Sequence, residues 1–572
     1  MELQPVPGWG TIPRMLRDQA EGHGPLDAVV AGDTRLTLAG LAAGAGETAR
    51  ALMALGVARG DRVAVWAPNS PEWVVAAFGI WDAGAIIAPL STRFKGLEAA
   101  DLLGKVGAKV LLVAEGFMGT SHLGMLAGAA GGPADGRPHS GLPDLEHVVV
   151  LGDEPAPSRP GVLSWAGFIA AGAAVTRDDA EERARSVDPD DIASIMATSG
   201  TTGTPKGVML HHSQLLRGYW DWAELVTLGE GDRYPIIAPF SHGFGINAGL
   251  LACVLRRATM MPIALFQPDE LMDLIERNRV SVLAGAPPMF FKILDELDGA
   301  RAGAGTAAGG TTGAGTEDAA GASPRRRYDV SSLRVAICGA AAVPPELIRR
   351  LADRVGLERM INAYGLMEGT VVSMTRPGDP VEVIAATTGR AVPGVTVRIV
   401  GADGGDLPVG EPGEILIGGY GVMRGYWRDP ERTAEAVDGE GWLHTGDIGT
   451  LDDAGNLAIV DRKKEMFIVS GFNAYPAEIE GLLLRCPLVG QVGVIGVPDE
   501  RQGEVGWAYV VPPPNVTADP DAVIAWARDN MSNYKVPRRV VLLDALPVNA
   551  NGKLDKPSLH ARAAAEAAAG TR

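Results

Sequence analysis

Cysteine is scarce in this chain: three residues among 572, Cys253, Cys338 and Cys486, far apart and odd in number. That pattern suggests neither a disulfide framework nor a zinc cluster and fits a reducing cytoplasm. Surplus positive charge is missing as well, since the net charge is −18. Such a surface repels phosphate backbones and anionic lipid, so nucleic acid is not an expected partner, and any nucleotide must be held by donors concentrated locally against the overall field. The first residues, "MELQPVPGWGTIPRML", lack a basic start followed by an apolar run and do not read as a signal peptide. The nearest approach to a membrane span is "WVVAAFGIWDAGAIIAPL" (73–90), interrupted by Asp82 and Pro89. A buried helix followed by a strand accounts for it better, and a soluble, cytoplasmic protein without integral membrane association is expected. Lysine is the rarer cation, ten of 51 Lys+Arg. Where lysine persists in so arginine-rich a chain, a compact ammonium is the required group.

What the sequence does contain is enough apolar residue, 46% of the chain, for two or more cores, because single cores stop growing near ~250–300 residues. From "RVAVWAPN" (62–69) through a helix at 71–83 to "IIAPL" (86–90) and "VLLVAEG" (110–116), short apolar runs alternate with helical stretches. That alternation predicts βαβ units and a mostly parallel sheet. A Gly/Pro-rich patch at 130–143 reads as a surface loop. Residues 299–327 begin "GARAGAGTAAGGTTGAG" and are too small and flexible to bury area that offsets their ordering, so a disordered insertion is expected. "LRVAICGAAAVPPELIRRLADRVG" (333–356) reads as a buried strand, a tight turn and a helix opened by Pro344 and Pro345. From about 380, glycine-punctuated segments such as "GEILIGG" and "GNLAIV" predict antiparallel strands. The expected fold is a large α/β N-terminal domain, 1–461, with parallel-type sheets and a small antiparallel subdomain. A small α+β C-terminal domain, 462–572, follows it across a hinge.

Residues 198–207, "TSGTTGTPKG", place five hydroxyl side chains, three glycines and a lysine in ten residues. The side chains are too small to shield the backbone. Its N–H groups and the hydroxyls of Thr198, Ser199, Thr201 and Thr202 are therefore free to converge on an anion around Gly200 and Gly203. Lys206 adds a movable charge, and a polyphosphate makes the best use of such a strip; a plain surface turn is the alternative. It is not a Walker A loop, because Lys206 follows a proline and precedes a glycine.

This decapeptide resembles the phosphate-loop signature of the adenylate-forming superfamily, which includes acyl-CoA synthetases, luciferase-like enzymes and adenylation domains. Other motifs follow in the order that resemblance implies. "NAYGLMEG" (362–369) is similar to the second nucleotide motif, with Tyr364 and Gly365 at the adenine and Glu368 on the Mg²⁺ that accompanies ATP, Thr198 being a second metal-facing oxygen. Met367 departs from the pattern, where a threonine commonly gives its hydroxyl to phosphate. "CGAAAVP" (338–344) resembles the segment lying against the base, with Gly339, Ala340 and Ala341; a tightly packed turn is the other reading. "GWLHTGD" (441–447) resembles the ribose motif, Asp447 accepting from a vicinal diol as a donor-free carboxylate suits. "DRKKEMFIVSGFNAYPAEIE" (461–480) resembles the hinge, implying a pivot at Asp461, a nucleotide contact from Arg462, and Ser470, Gly471 and Phe472 along the thiol path. "LPVNANGKLDK" (546–556) resembles the terminal motif, with Lys553 as catalytic cation.

The resemblance implies an acid–thiol ligase using ATP, Mg²⁺ and coenzyme A. Catalytic roles fall to Lys553, Glu368, Lys206 and His242. "PFSHGFGINAGL" (239–250) and "GAPPMF" (285–290) resemble acyl-pocket segments. His242 either faces the carboxylate or is a satisfied core histidine. Glycines 243, 245 and 249 are expected to leave room for a bulky acyl group, and a pocket without fixed charge favours a small-molecule, hydrophobic carboxylic acid. The wording of 67–94 looks closest to actinobacterial acyl-CoA ligases, including the branch activating the propionate chain of a fused-ring ketone from steroid breakdown. Loading of a carrier protein and nucleotide binding without catalysis stand as alternatives, and a homodimer stays open.

Overall fold

The computed structural model describes every residue except 1–3, 134–136, 154–155, 157, 199–205, 306–327, 340–342, 463–466, 470–471, 500–501, 532, 550–551 and 570–572. The ambiguous run 73–90 resolves as a helix, Pro71–Asp82, and a strand, Ile86–Pro89. Ser70 starts the helix by accepting from the Trp73 amide at 3.2 Å, and Pro71 sits in the first turn, where a missing N–H costs nothing. Trp73 through Asp82 are buried save Val75, so the apolar run is a core helix. Side chains such as Phe78 and Ile80, almost wholly removed from water, contribute roughly 2 kcal/mol each.

The residues form two compact units, 1–395 with 418–443, and 396–417 with 444–572. In the first, an eight-stranded sheet runs in the order 425–426, 206–211, 192–198, 86–89, 62–66, 108–113, 147–150, 162–164. Strands 62–66, 86–89, 108–113, 147–150 and 162–164 are mutually parallel, as the βαβ pattern predicts. A second sheet joins 233–236, 259–262, 27–31 and 34–37, and a third joins 282–285, 335–339, 359–366, 370–374 and 390–391. In the third the first three strands are parallel and the remainder antiparallel.

The second unit holds the glycine-punctuated strands, in the sheet order 395–400, 413–419, 443–451, 457–462. It also holds a sheet in which 491–499 and 503–511 pair over nine residues, flanked by 467–469, 472–474 and 539–542. The antiparallel strands up to 461 thus pack with the C-terminal residues. One expectation needs correcting: residues 299–305 extend the helix Pro287–Gly305. Alanine and arginine at 300–302 favour helix once the buried Phe290, Ile293 and Leu294 have nucleated it. The rest of the expected insertion lies outside the described residues. Cys253, Cys338 and Cys486 are all buried and unpaired with one another.

Candidate active site

Strand Ile192–Thr198 pairs antiparallel with Lys206–His211, and Thr198 opposite Lys206 is their last pair. The glycine-hydroxyl segment therefore links two hydrogen-bonded strands, unlike the strand-to-helix turn of a P-loop. Residues 199–205, with Ser199, Gly200, Thr201, Thr202 and Gly203, lie outside the described residues. On its other edge Lys206–His211 receives a short strand, Gly425–Tyr426, with Tyr426 opposite Val208. This pairing sets the Tyr426 ring 4.5 Å from the Lys206 ammonium, a cation–π contact. The same phenol donates to Glu368 Oε1 at 3.0 Å. One triad thus joins Lys206 and Glu368 through a buried tyrosine. Burial first, and the Glu368 charge second, push the Tyr426 phenol well above its ordinary value, so it stays a donor throughout the neutral range. Glu368 is held by its backbone too: the Met423 amide donates to its carbonyl at 2.7 Å. Gln214, buried, fixes that neighbouring loop by donating to the Gly421 and Val422 carbonyls.

Tyr364 and Glu368 come from the strand Arg359–Leu366 and its turn into Thr370–Met374. Gly339 ends the parallel strand beside it, opposite Ala363. Ligands bind beyond the carboxyl ends of such strands in open α/β sheets. Both glycines are dictated by close backbone: a Cβ on Gly339 would lie 2.8 Å from the Ala363 carbonyl oxygen, and one on Gly365 2.4 Å from that of Thr370. Ala340 and Ala341 lie outside the described residues. Met367 turns its side chain onto Gly243, where a Cβ would meet its sulfur at 2.7 Å.

That glycine opens the segment after His242. Asn69, buried, donates to the carbonyls of Ile236 and Ala238 and accepts from the Phe240 amide at 2.8 Å. It thereby shapes the loop that delivers His242, whose Nδ1 accepts from the Phe244 amide at 3.2 Å. The expectation that glycines here hollow out an acyl pocket is corrected for Gly245 and Gly249. A Cβ on Gly245 would meet the Pro239 carbonyl oxygen at 2.1 Å and one on Gly249 would meet Ile236 at 2.7 Å. Their missing side chains let the helix approach its neighbours, and protein fills the space.

In the second unit, Asp447 lies on strand Leu443–Leu451, 6% exposed, opposite Arg462 in the register. Its amide bonds Thr445 Oγ1 at 3.0 Å, and Thr445 in turn donates to the Ile415 carbonyl. Arg462 ends its strand and Phe472 begins another, while Ser470 and Gly471 lie outside the described residues. Lys553 is exposed at the end of a turn closed by the bridge Val548–Leu554. Asn549 makes that turn: its amide donates to the Lys553 carbonyl at 2.8 Å and its side chain accepts from the Lys553 amide at 3.1 Å. Gly552 takes φ +75, the left-handed region glycine tolerates. Leu554 anchors the turn against Gly493. Among the described residues no cluster of three or more His, Cys, Asp or Glu could cage a metal, and no helix is long and apolar enough to cross a membrane.

The chain belongs to the AMP-binding enzyme family: residues 16–427 match the AMP-binding enzyme and 478–553 its C-terminal domain. Its activity is that of an ATP-dependent, AMP-forming acyl-CoA ligase. It is 42% identical, over 96% of this chain and 97% of the relative, to a 3-[(3aS,4S,7aS)-7a-methyl-1,5-dioxo-octahydro-1H-inden-4-yl]propanoyl:CoA ligase of Rhodococcus jostii. A ligase of the same name from Mycobacterium tuberculosis is 40% identical over 98% of this chain and 99% of its own. The structure of the anthranilate CoA ligase AuaEII with anthranoyl-AMP superposes with a TM-score of 0.81 at 25% identity, covering 99% of both chains.

Proposed function

We propose that this acyl-CoA ligase activates a propanoate side chain borne on a fused-ring ketone of steroid origin. The observation that carries the chemistry is the Lys206–Tyr426–Glu368 triad; the two relatives spanning nearly the whole chain support the choice of acid. A carboxylate repels nucleophiles and has no leaving group, and joining it to the α-phosphate of ATP supplies AMP as one. As its oxygen attacks, negative charge grows on the phosphoryl oxygens and on departing pyrophosphate, and preorganised cations lower that barrier.

Lys206 and the Thr198 hydroxyl serve the phosphates, Tyr364 the adenine, and Asp447 the ribose hydroxyls. Glu368, a hard oxygen donor oriented by Tyr426, suits Mg²⁺, which proteins hold through one or two carboxylates together with substrate phosphates. Mg²⁺ would be held there with Thr198, neutralising charge on the phosphates. Lys553 supplies the remaining cation in the first step. For the second, a turn of the chain at Asp461 withdraws Lys553 and brings Ser470, Gly471 and Phe472 to the thiol of coenzyme A, a gating motion of the type that limits many turnovers.

The test is AMP release with ATP, Mg²⁺ and coenzyme A across a panel of acids: the fused-ring diketo propanoate, straight-chain fatty acids and aryl acids. The ring acid is expected to give the highest kcat/KM. A fatty or aryl acid ahead of it by tenfold would overturn the substrate while leaving the ligase class intact.

A further inference from the structure

The turn that presents Glu368 leaves through a strained residue. Between strands Arg359–Leu366 and Thr370–Met374 it is closed by the Gly369 amide, which donates to the Leu366 carbonyl at 3.2 Å. Thr370 then takes φ +54, a left-handed conformation that β-branched side chains rarely adopt. Its hydroxyl oxygen is buried and has no hydrogen-bond partner among the described residues. A backbone of this type persists only where its surroundings over-determine it.

Those surroundings are the loop 420–423 and the helix His212–Leu225. The Met423 amide donates to the Glu368 carbonyl at 2.7 Å. Gly421 packs so closely that a Cβ there would lie 2.8 Å from the Gly369 carbonyl oxygen and 3.0 Å from Thr370 Oγ1. Gly218 of the helix approaches the same hydroxyl, a Cβ there falling 3.7 Å away. What fixes the loop in turn is Gln214, 1% exposed. Its Nε2 donates to the Gly421 carbonyl at 2.8 Å and to that of Val422 at 2.9 Å. Its Oε1 accepts from the amide of His211, where the strand Lys206–His211 ends, at 3.5 Å. Both N–H donors and the acceptor of the amide are thus engaged. One buried side chain ties the strand that bears Lys206 to the loop that bears on Glu368.

We propose that Gln214 is a positioning residue for adenylation: it clamps the loop 420–423 and, through the Met423 amide, keeps the Glu368 carboxylate aimed at the metal-bound phosphates. The proposal rests on the reading of Glu368 as the Mg²⁺ carboxylate. Without the two donors of Gln214, the carbonyls of Gly421 and Val422 are left unbonded in a buried place. The loop then shifts to recover partners, and the strained turn relaxes with it. Binding of ATP with its metal suffers, and binding of ATP alone does not.

Titration calorimetry of ATP on the full chain, with Mg²⁺ and with EDTA, tests this without any turnover. Gln214→Met keeps the volume and removes the hydrogen bonds. Its affinity for ATP with Mg²⁺ should fall about 5- to 10-fold, the loss expected for modest hydrogen bonds, while affinity in EDTA stays within about twofold. Equal losses in the two titrations would show general structural support and overturn the proposal, as would no loss in either. Gln214→Asn, its amide one methylene shorter, should show the same selectivity on a smaller scale and decides the matter if Gln214→Met does not fold. Glu368→Gln separates the two readings. It should remove most of the affinity gained from Mg²⁺, and adding Gln214→Met to it should cost little more, because the two act as one unit. Additive losses would overturn the role of Gln214. A Glu368→Gln protein that keeps the full gain would instead refute the metal reading on which the proposal rests.

Discussion

Tyr426 shows how a residue with no local signature comes to matter. In "RGYWRD" it reads as one more aromatic, whereas Lys206 and Glu368 are legible because each stands in a motif of unusual composition. The pairing of 425–426 with 206–211 brings it between them across more than two hundred residues. Tyr426→Phe keeps the ring under Lys206 but frees Glu368, and a hydrogen bond to a charged group contributes about 1.5–3 kcal/mol. ATP–pyrophosphate exchange is expected to drop about tenfold or more at low Mg²⁺ and to recover partly as Mg²⁺ is raised. A loss independent of Mg²⁺ would point away from an orienting role. Gly365 makes a second test at this scale. With a Cβ there 2.4 Å from a backbone oxygen, Gly365→Ala must displace the strand pair that carries Tyr364 and Glu368. Overpacking of this type costs roughly 1–3 kcal/mol, and denaturant unfolding together with a raised KM for ATP should report it.

Elements were readable where local pattern and tertiary demand agree. The helix Pro71–Asp82 has its serine cap, its first-turn proline and its apolar run, all visible in one dimension. The π-turn at 246–251 and the extension of Pro287 into 299–305 were not, since both depend on what packs beside them. The helix His212–Leu225 adds a pH-dependent contribution. His212, 1% exposed, accepts from the Ile12 amide through Nδ1 at 3.4 Å, tying the first helix of the chain to this one. Burial depresses its pKa from 6.5 to about 3. A depressed folded-state value means the stabilisation is complete above about 6.5 and is lost as pH falls towards 3. Equilibrium unfolding from pH 7 to 4 should show the wild type weakening steadily. His212→Asn, less stable at pH 7, should show a visibly shallower slope, and parallel slopes would mean the ring does not titrate on unfolding.

At the scale of the molecule the groups proposed for catalysis and nucleotide binding are divided by the chain's two units: Thr198, Lys206, Tyr364 and Glu368 belong to one, Asp447 and Lys553 to the other. The two half-reactions should therefore be separable. Lys553→Ala is expected to lower adenylation by about 10²–10³ while thioester formation from supplied acyl-AMP proceeds within a few-fold of wild type, as quenched-flow assays of each step would show. Equal loss in both would contradict the division of labour. Sequence alone was sufficient for the α/β class, the order of motifs, the scarcity of lysine that made Lys206 and Lys553 conspicuous, and the absence of a disulfide framework. These are properties of short windows and of composition, where backbone propensity, patterning and small side chains act without distant partners. Only the tertiary structure decided that Gly245 and Gly249 serve packing instead of leaving a pocket, that Met367 turns onto Gly243, and that Tyr426 couples a lysine to a carboxylate. Each of those outcomes depends on which atoms approach within a few ångströms across long stretches of chain, and no local pattern encodes that distance.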